Sequence, residues 1–350
     1  MTATERKFLL GAGVVIGSMK HLGQAERKQL LVELMSGEAL TTSEIEGQIL
    51  NRGSVQSSIR RQLGWASGQC HVTPAEQGIA EMVVDLHRAF AEPLTPDMLF
   101  GWHRMVRSGR KDLANVGRYR TSKGPMQVVS GPIGAPQVHF EAPPYTRVST
   151  EMKEFVSWFN RTTPQGMEPL PAITRAGIAH LYFESIHPFE DGNGRIGRAV
   201  AEKAIAQSVG QPVLLALATT ILAQQKAYYA ALERANQQTD LTEWLNWFGG
   251  IALEAQRRSI TQVEFMIAKT KLLDRLRGQI NARQEKALLR MFKEGPGGFQ
   301  GGLSAGNYST ITGFSPATTT RDLADLVERG ALLRTGERKH ARYALNLRGV

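Results

Sequence analysis

The segment Glu184–Arg198, ESIHPFEDGNGRIGR, joins two stretches of helical periodicity through a short polar loop. Apolar residues recur every three or four positions before it, and Pro188 disfavours helical backbone at the residue that precedes it, so we expect a helix to end at His187. The periodicity resumes at Ile196 and stops at Gly210, a residue type common at helix C-termini. The sequence therefore predicts two helices joined by the loop EDGNG.

Two positive side chains, Arg195 and Arg198, fall in the first turn of the second predicted helix. A helix N-terminus already has positive potential and unpaired N–H groups, so further cations there predict an anionic ligand. Loop glycines let the backbone approach that ligand, and arginines bind phosphates in bidentate geometry, which predicts a polyphosphate site. Asp191 could hold a magnesium ion on the phosphates, and His187, which titrates near neutral pH, is a candidate general base.

Simpler interpretations of this loop explain it less well. A calcium-binding loop beginning at Asp191 would have an oxygen ligand at its fifth position and glycine at its sixth, where this chain has Arg195 and Ile196. A hairpin turn at Asn193 conflicts with helical periodicity on both sides. A single histidine at a helix end is usually structural, but its combination with the glycines, the aspartate and both arginines favours catalysis.

The sequence HPFEDGNGRIGR, residues 187–198, resembles the Fic family signature HxFx[DE]GNGRxxR at every specified position. The resemblance implies a mainly α fold, with a Fic-type helical core and a β-hairpin flap. It implies that His187 accepts the proton of a target hydroxyl, that Phe189 anchors the loop in the core and that Asp191 binds Mg²⁺. The ATP-binding residues that it implies in this segment are Gly192, Asn193, Gly194, Arg195 and Arg198.

The usual reaction of this family is transfer of AMP from ATP to a Ser, Thr or Tyr hydroxyl of a protein. The resemblance therefore implies a protein adenylyltransferase. A phosphotransferase branch has Ala-Asn-Lys where this chain has Gly192, Asn193 and Gly194, which favours adenylyl over phosphoryl transfer. The alternatives are a deadenylylating or phosphoryl-transferring variant, and a DNA-binding regulator whose Fic core senses nucleotide.

The segment Thr42–Gly47, TSEIEG, resembles the family's inhibitory pattern [ST]xxxE[GN], in a position typical of the class with an N-terminal inhibitory helix. The resemblance implies that Glu46 pairs with Arg198 and occupies the guanidinium that the γ-phosphate of ATP needs. The same letters also fit helix capping boxes that begin at Thr41 or Ser43, which is the structural alternative.

Two further segments extend the resemblance. Two β-prone runs around a Gly/Pro-rich turn predict a hairpin at 126–144, which resembles the family's flap, assigned here to 121–144. Such a flap pairs its edge with the backbone of the target protein. Tyr229 and Asn236 are seven residues apart on one predicted helix face, and the segment resembles the one that closes the adenine site. His180 lies two turns before the motif histidine, too far for a shared metal, and is expected to be packed.

The last part of the chain resembles a winged helix-turn-helix. A short helix, a turn at Gly313, a helix over 315–329 and two β-prone runs follow one another. Arg338, Lys339 and Arg342 lie in the predicted wing, where they would contact DNA. Modules of this kind also serve in dimerisation or protein docking, so the sequence leaves DNA binding and a homodimer open.

Four regions are predicted along the chain. They are an N-terminal helical region over 1–95 with the inhibitory motif at 42–47, a catalytic core over 96–255, a helical linker over 256–282 and the winged helix over 283–350. Further helices are predicted at 26–40, 74–90, 96–106, 149–159 and 241–284.

Composition agrees with a cytoplasmic protein that meets phosphates. The formal charge of +10 favours nucleotides, nucleic acid or acidic surfaces as partners. One cysteine, Cys70, excludes a disulfide framework and a multi-cysteine zinc site. The apolar run Phe8–Gly17 is too short to span a bilayer and lacks a clean signal-peptide cleavage site, so no membrane partner is expected. The expected partners are ATP with Mg²⁺ and a protein with a surface hydroxyl.

Overall fold

The computed structural model describes the chain except for residues 21, 67, 69, 111, 131–136, 214 and 348–350. The chain forms two compact units, one from Met1–Val14 and Leu31–Ser259 and the other from Val15–Leu30 and Ile260–Val350. The predicted domain limits at 95, 255 and 282 stay predictions. The described chain is mainly helical, as expected from the sequence.

The described helices and strands are as follows. In chain order they are α1 Thr2–Met19, α2 Gln24–Ile45, α3 Arg52–Gln62, α4 Pro74–Arg88, α5 Pro96–Val106, β1 Gln127–Ser130, β2 Gln137–Glu141, α6 Tyr145–Arg161, α7 Ala172–Ile186, α8 Asn193–Val209, α9 Leu217–Ala223, α10 Gln225–Asn236, α11 Thr242–Arg275, α12 Ala282–Phe292, α13 Ala305–Thr312, α14 Pro316–Glu328, β3 Leu332–Thr335 and β4 Arg342–Leu345.

The helices α7 and α8 form the centre of the first unit and confirm the predicted helix–loop–helix. Helix α7 ends at His187, and α8 ends at Gly210, which has a left-handed φ of 78°. The two helices approach closely at Gly197, where a Cβ atom would lie 2.5 Å from Oε1 of Glu184. A Cβ at position 197 would require the Glu184 carboxyl group to move, so glycine lets the end of α7 lie beside the start of α8 without that displacement.

The core of the first unit fixes the loop between these helices. The side chain of Phe189 is fully buried, as the resemblance implied, and so are the α7 and α8 side chains Phe183, Ile196 and Val200. Trp244 on α11 donates a hydrogen bond from Nε1 to the Gly177 carbonyl of α7, at 2.8 Å. The loop is therefore anchored by Phe189 in the same buried core that α7 and α8 share.

Most predicted helices are present, but one is wrong at its C-terminal end. A single helical segment was predicted over 241–284, whereas α11 ends at Arg275. Gly278 then adopts a φ of 72°, and Asn281 caps the N-terminus of α12 by accepting hydrogen bonds from two backbone N–H groups. An N-cap asparagine after a left-handed glycine ends one helix and begins the next, which periodicity alone does not reveal.

The predicted hairpin is present as the antiparallel pair β1–β2. Gln127 pairs with Glu141, and the register shifts between Val128 and Val129. Residues 131–136 of the predicted flap lie outside the described residues. The strands nevertheless place the hairpin directly before α6 in the first unit.

The second unit contains α12, α13, α14 and the antiparallel pair β3–β4. Helix α13 ends at Gly313, with a φ of 80°, and α14 matches the helix predicted over 315–329. Leu303 forms a β-bridge with Tyr343. The carboxylate of Asp322 on α14 accepts hydrogen bonds from Arg283 of α12 and from the hydroxyl of Tyr308 on α13, which joins the three helices.

Within the residues that the structure describes, none of the helices combines the length and apolar character needed to span a lipid bilayer.

Candidate active site

His187 is held in an unusual backbone conformation at the end of α7. Its φ of 49° and ψ of 60° are left-handed, a region that non-glycine residues rarely adopt. Its N–H donates to the Phe183 carbonyl at 3.0 Å, and its own carbonyl accepts from Nε of Arg120 at 2.8 Å. Strained backbone of this kind is typical of functional sites, where the surrounding contacts hold it in place.

The imidazole of His187 is largely buried, and burial lowers its pKa to about 4. A hydrogen bond with the Glu184 backbone and the negative charges of Glu46 and Asp191 oppose the shift, whereas the positive charge of Arg120 lowers the pKa of His187 further. Nδ1 lies 3.9 Å from Oε2 of Glu184. The ring is therefore neutral at pH 7 and has a nitrogen that can accept a proton.

The motif loop is closed by its own side chains. Asn193 accepts a hydrogen bond from the N–H of Phe189 at 3.0 Å and donates one to the Phe189 carbonyl at 2.8 Å. Phe189 stacks on His103 of α5, with ring centroids 4.1 Å apart. Gly192 has a left-handed φ of 93°. The Asn193 side chain thus organises the loop, which leaves backbone N–H groups and the arginines to meet a ligand.

The first arginine of the motif lies beside the loop aspartate. Nη2 of Arg195 is 3.5 Å from Asp191, and Nη1 donates to Gln48 at 2.9 Å. Asp191 also pairs with Nη1 of Arg107, on α5, at 2.8 Å. Burial lowers the pKa of Arg195 to about 10, so the side chain remains charged at neutral pH. In the described part of the chain its Nε is buried and has no hydrogen-bond partner.

The second arginine contacts the predicted inhibitory segment. Arg198 donates from Nη2 to Oε1 of Glu46 at 2.7 Å and to the Thr42 carbonyl at 2.9 Å, and from Nε to the Thr42 hydroxyl at 2.7 Å. Burial opposes its charge, but the nearby Glu46 carboxylate holds the pKa of Arg198 above its usual range. Nη1 of Arg198 is buried and lacks a hydrogen-bond partner among the described residues.

The segment predicted to be inhibitory, Thr42–Gly47, lies at the C-terminal end of a helix and not at the start of one. Helix α2 runs to Ile45, and Gly47 follows with a φ of 76°. The N–H of Gln48 donates to the Ser43 carbonyl at 2.9 Å, as in a helix C-terminal motif. The capping-box alternative is therefore wrong, because capping boxes stand at helix N-termini. The Thr42 carbonyl belongs to the last turn of α2, so Arg198 satisfies a carbonyl that lacks a helical partner.

Two further side chains of α7, Glu184 and His180, are neutral at pH 7 because they are buried, as His187 is. Burial raises the pKa of Glu184 to about 8, and the negative charge of Glu46 adds to that shift. Burial lowers the pKa of His180 to about 4, and its Nε2 lies 2.8 Å from the Tyr228 hydroxyl. His180 is fully buried, which confirms the expectation that it is packed.

The two residues predicted at the adenine site lie on α10. The Tyr229 side chain is 44% exposed, whereas the neighbouring Tyr228 is buried in the core. Asn236 accepts a hydrogen bond from the Ser185 hydroxyl at 2.7 Å, which places α10 beside the end of α7. An exposed ring at this position is free to stack on a base.

The donor set around Asp191 suits magnesium bound together with phosphates. The described residues contain no group of three or more His, Cys, Asp or Glu side chains arranged to hold a metal ion. The Asp191 side chain is 41% exposed. One accessible carboxylate is what Mg²⁺ needs when phosphates and water supply its other oxygen ligands.

Sequence reasoning missed four residues that surround the motif. Arg107 holds Asp191, and His103 lies 3.0 Å from the Asp191 carbonyl through Nε2 and accepts from the Gly117 N–H through Nδ1. Glu184 lies beside His187, and Arg120 binds its carbonyl. The one available signal was their polarity inside helical or β-prone stretches, because most of them are remote from the motif in sequence.

Comparisons with known proteins agree with the geometry. Residues 93–205 match the Fic/DOC family, and residues 1–65 match a domain of unknown function, DUF4172. The chain is 34% identical over 140 residues to protein adenylyltransferase fic-1 of Caenorhabditis briggsae, a match that covers 40% of this chain and 24% of the relative. It is 32% identical over 148 residues to the Caenorhabditis elegans protein of the same name, over 41% and 25% of the two chains.

Solved structures show the same fold. A Fic family protein from Desulfovibrio desulfuricans aligns over 100% of this chain and 98% of its own, with 22% identity and a TM-score of 0.55. Residues 134–508 of Fic-1 from C. elegans align over 74% of this chain and 72% of theirs, with 24% identity and a TM-score of 0.51. The chain spans about a quarter of the length of the curated relatives that it matches.

Proposed function

Residues 93–205 of this chain are a Fic/DOC family domain, and on that premise we propose that the protein transfers AMP from ATP to a hydroxyl group of a target protein. One observation carries the proposal. The start of α8 presents two buried arginines with unpartnered donors, next to a neutral histidine held at the end of α7. A polyphosphate supplies the acceptors that these donors lack.

The proposed reaction uses His187 as the base. Its imidazole nitrogen accepts the proton of a Ser, Thr or Tyr hydroxyl, whose oxygen bonds to the α-phosphorus of ATP while the bond to the β-phosphate oxygen breaks and pyrophosphate leaves. Arg195 and Arg198 bind the β- and γ-phosphates and stabilise the charge of the leaving group. The phosphates also bring negative charge near His187, which raises its pKa from about 4 towards neutrality when ATP binds.

Asp191 is the residue proposed to hold Mg²⁺. Bound there, the ion would neutralise charge on the phosphates. Arg107 is paired with the same carboxylate and holds it in one orientation. An Asp191→Asn variant should require more Mg²⁺ than the parent for half-maximal transfer, measured by titrating Mg²⁺ at fixed ATP.

Tyr229 and Asn236 are proposed to bind the adenine ring. Tyr229 offers an exposed aromatic face, and Asn236 offers an amide at the edge of the same helix. The edge of the hairpin β1–β2 is proposed to align a segment of the target by adding a strand. The adenosine and polyphosphate parts of ATP and the acceptor hydroxyl of the target would then bind to separate surfaces.

Glu46 is proposed to inhibit the enzyme by competing with the γ-phosphate for Arg198. The 2.7 Å contact between Glu46 and Arg198 supports this role. The Thr42 carbonyl and hydroxyl contribute two further acceptors from the same segment. Activation would require the end of α2 to release the guanidinium.

Labelled ATP distinguishes the proposed reaction from its alternatives. With the Glu46→Gly variant in a lysate, we expect α-phosphate label to enter proteins, and His187→Ala should abolish that transfer. Entry of γ-label instead would indicate phosphoryl transfer. Loss of AMP from targets that are already modified, with no incorporation, would indicate a deadenylylating enzyme. Mass spectrometry of the labelled proteins would then identify the modified residue.

We also propose that residues 283–347 form a winged helix. The order α12, α13, α14, β3 and β4, together with the bridge between Leu303 and Tyr343, supports this fold. DNA binding by the wing stays a prediction. Salt-dependent binding of duplex DNA that is lost on replacing Arg338 and Arg342 would support it. Light scattering of the full chain measures its molar mass and tests separately whether it is a homodimer.

A further inference from the structure

Arg120 contacts the backbone on both sides of the candidate catalytic histidine. Its side chain is 3% exposed and lies between α5 and β1 in the sequence. Nε donates to the His187 carbonyl at 2.8 Å, and Nη2 lies 3.4 Å from the Ile186 carbonyl. The backbone N–H of Arg120 donates to the Pro188 carbonyl at 2.9 Å. One residue therefore binds three consecutive carbonyls at the turn that follows α7.

The same guanidinium also reaches the hairpin. Nη2 donates to the Pro143 carbonyl at 2.5 Å, two residues after the end of β2. Nothing else in the described part of the chain is shown to link the backbone of the motif turn to the hairpin in this way. In the described chain no carboxylate pairs with Arg120, so its four acceptors are all backbone carbonyls.

The hydrogen bonds of Arg120 are made to backbone carbonyls that have no partner within helix α7. The last carbonyls of a helix lack helical partners, and the left-handed conformation of His187 persists only if its surroundings determine it. A planar, permanently charged fork with several donors in fixed geometry suits this task better than a lysine does. Arg120 donates hydrogen bonds to the carbonyls at the C-terminal end of α7 and thereby stabilises the left-handed backbone of His187.

We propose that Arg120 is a positioning residue for catalysis, which fixes the backbone of His187 and couples it to the base of the hairpin. This inference rests on the proposed function, because the hairpin is taken to align the acceptor and His187 to deprotonate it. A rigid link between the two sets the distance from the acceptor hydroxyl to the imidazole. Errors of about 1 Å in such a distance can reduce rates by about 10²-fold.

The charge of Arg120 gives a second, separable effect. Burial is the main reason that the pKa of His187 is low, and Arg120 adds to the reduction. Two carboxylates from other elements, Glu46 after α2 and Asp191 in the loop, oppose this shift. On the same helix as His187, the Glu184 carboxyl holds a proton at neutral pH because burial raises its pKa to about 8. Removing the Arg120 charge should therefore raise the pKa of His187.

Two substitutions separate geometry from charge, in the full chain with Glu46→Gly. Arg120→Met removes both the fork and the charge, whereas Arg120→Lys keeps the charge with a single donor group. Arg118→Met is the matched control, because Arg118 is exposed and its guanidinium donates to the nearby Ala114 carbonyl, away from the turn after α7. NMR of ¹⁵N-labelled histidine, with the His187 signal assigned by comparison with His187→Ala, measures the imidazole pKa without requiring turnover. Transfer of α-labelled ATP into lysate proteins measures the rate.

We expect Arg120→Met to raise the His187 titration midpoint and to lower the transfer rate by about 10²-fold, with the ATP dependence unchanged. Arg120→Lys should keep the midpoint and recover part of the rate, and Arg118→Met should alter neither. An unchanged midpoint in folded Arg120→Met, or a parental rate in either Arg120 variant, would overturn the proposal. If Arg120→Met does not fold, the rate of Arg120→Lys decides. If the parent transfers no label, the proposed function fails while the titration still tests Arg120.

Discussion

Replacing Glu46 tests the competition for Arg198 most directly. In Glu46→Gly, the carboxylate 2.7 Å from the guanidinium is removed, and a buried positive charge loses its only anionic partner among the described ion pairs. At that distance the Coulomb attraction is roughly 6 kcal/mol for an effective dielectric constant of about 20. Desolvation of both charges cancels most of this attraction, and we take the remaining effect on ATP binding as about 1–3 kcal/mol, the usual size of a coupling between two binding events in one protein.

The expected gain in ATP affinity is therefore about 5- to 150-fold. The lower part of that range is expected, because Arg198 still donates to the Thr42 carbonyl and hydroxyl after the substitution. Thr42→Val in the same chain removes the hydroxyl acceptor and should increase ATP affinity further. The increase should be larger with ATP than with AMP, since AMP lacks the γ-phosphate that competes with Glu46.

Calorimetric titration with ATP and AMP measures these affinities, and α-labelled ATP measures transfer. Glu46→Gln keeps the size of the side chain and removes its charge, so it should resemble Glu46→Gly. Glu44→Gly is the control for the added glycine, because Glu44 is exposed two residues earlier. Equal gains for ATP and AMP, or no gain beyond twofold in either Glu46 variant, would refute competition for the γ-phosphate site.

Three further predictions concern stability. His187 and His180 have pKa values near 4 because they are buried, so below about pH 6.5 the unfolded chain binds protons that the folded chain does not. The free energy of unfolding, measured by urea titration, should therefore fall by up to about 1.4 kcal/mol per pH unit for each ring as the pH decreases. A free energy of unfolding that does not change between pH 6.5 and 4.5 would contradict neutral rings. Burial raises the pKa of Glu38 from 4.5 to about 7, so the stability contributed by its protonated form is lost as the pH rises through 7. Glu38→Gln should therefore reduce the difference between the free energies of unfolding measured at pH 5 and at pH 8. An unchanged difference would contradict a raised pKa for this carboxyl group. Gly197→Ala should lower the free energy of unfolding by about 1–3 kcal/mol, because its Cβ would meet Glu184 at 2.5 Å, whereas Gly101→Ala, with open space around it, should be neutral or stabilising.

The local signals in the sequence predicted the centre of the fold. Pro188 fixed the end of α7, and Gly210 fixed the end of α8, because both act on the backbone of their own neighbours. The motif arginines could be placed at a helix start for the same reason. The break after α11 escaped prediction, since apolar periodicity continues through Gly278 while the backbone there turns left-handed.

The residues around the motif could not be predicted because their roles depend on tertiary contacts. Arg120 is 67 positions from His187 in sequence, and Arg107 reaches Asp191 from another helix. Asn193 shows the opposite case: its place in the motif suggests ligand binding, yet its side chain closes the loop onto Phe189. The sequence therefore predicted a set of candidate site residues, but not the residues that hold them in place through tertiary contacts.

The unpartnered donors at the site bear on whether the proposed inhibition by Glu46 would be reversible. Nε of Arg195 and Nη1 of Arg198 are buried without hydrogen-bond partners in the described chain, and a buried donor without a partner costs about 1–3 kcal/mol. Glu46 satisfies one other donor of Arg198 and leaves both of these unsatisfied. A triphosphate offers more oxygens than one carboxylate, and in the proposed binding mode it would contact both arginines. On the proposed function, ATP would displace Glu46 by satisfying donors that the Glu46 carboxylate does not reach, and the segment would then act as a threshold on ATP binding and not as a permanent block.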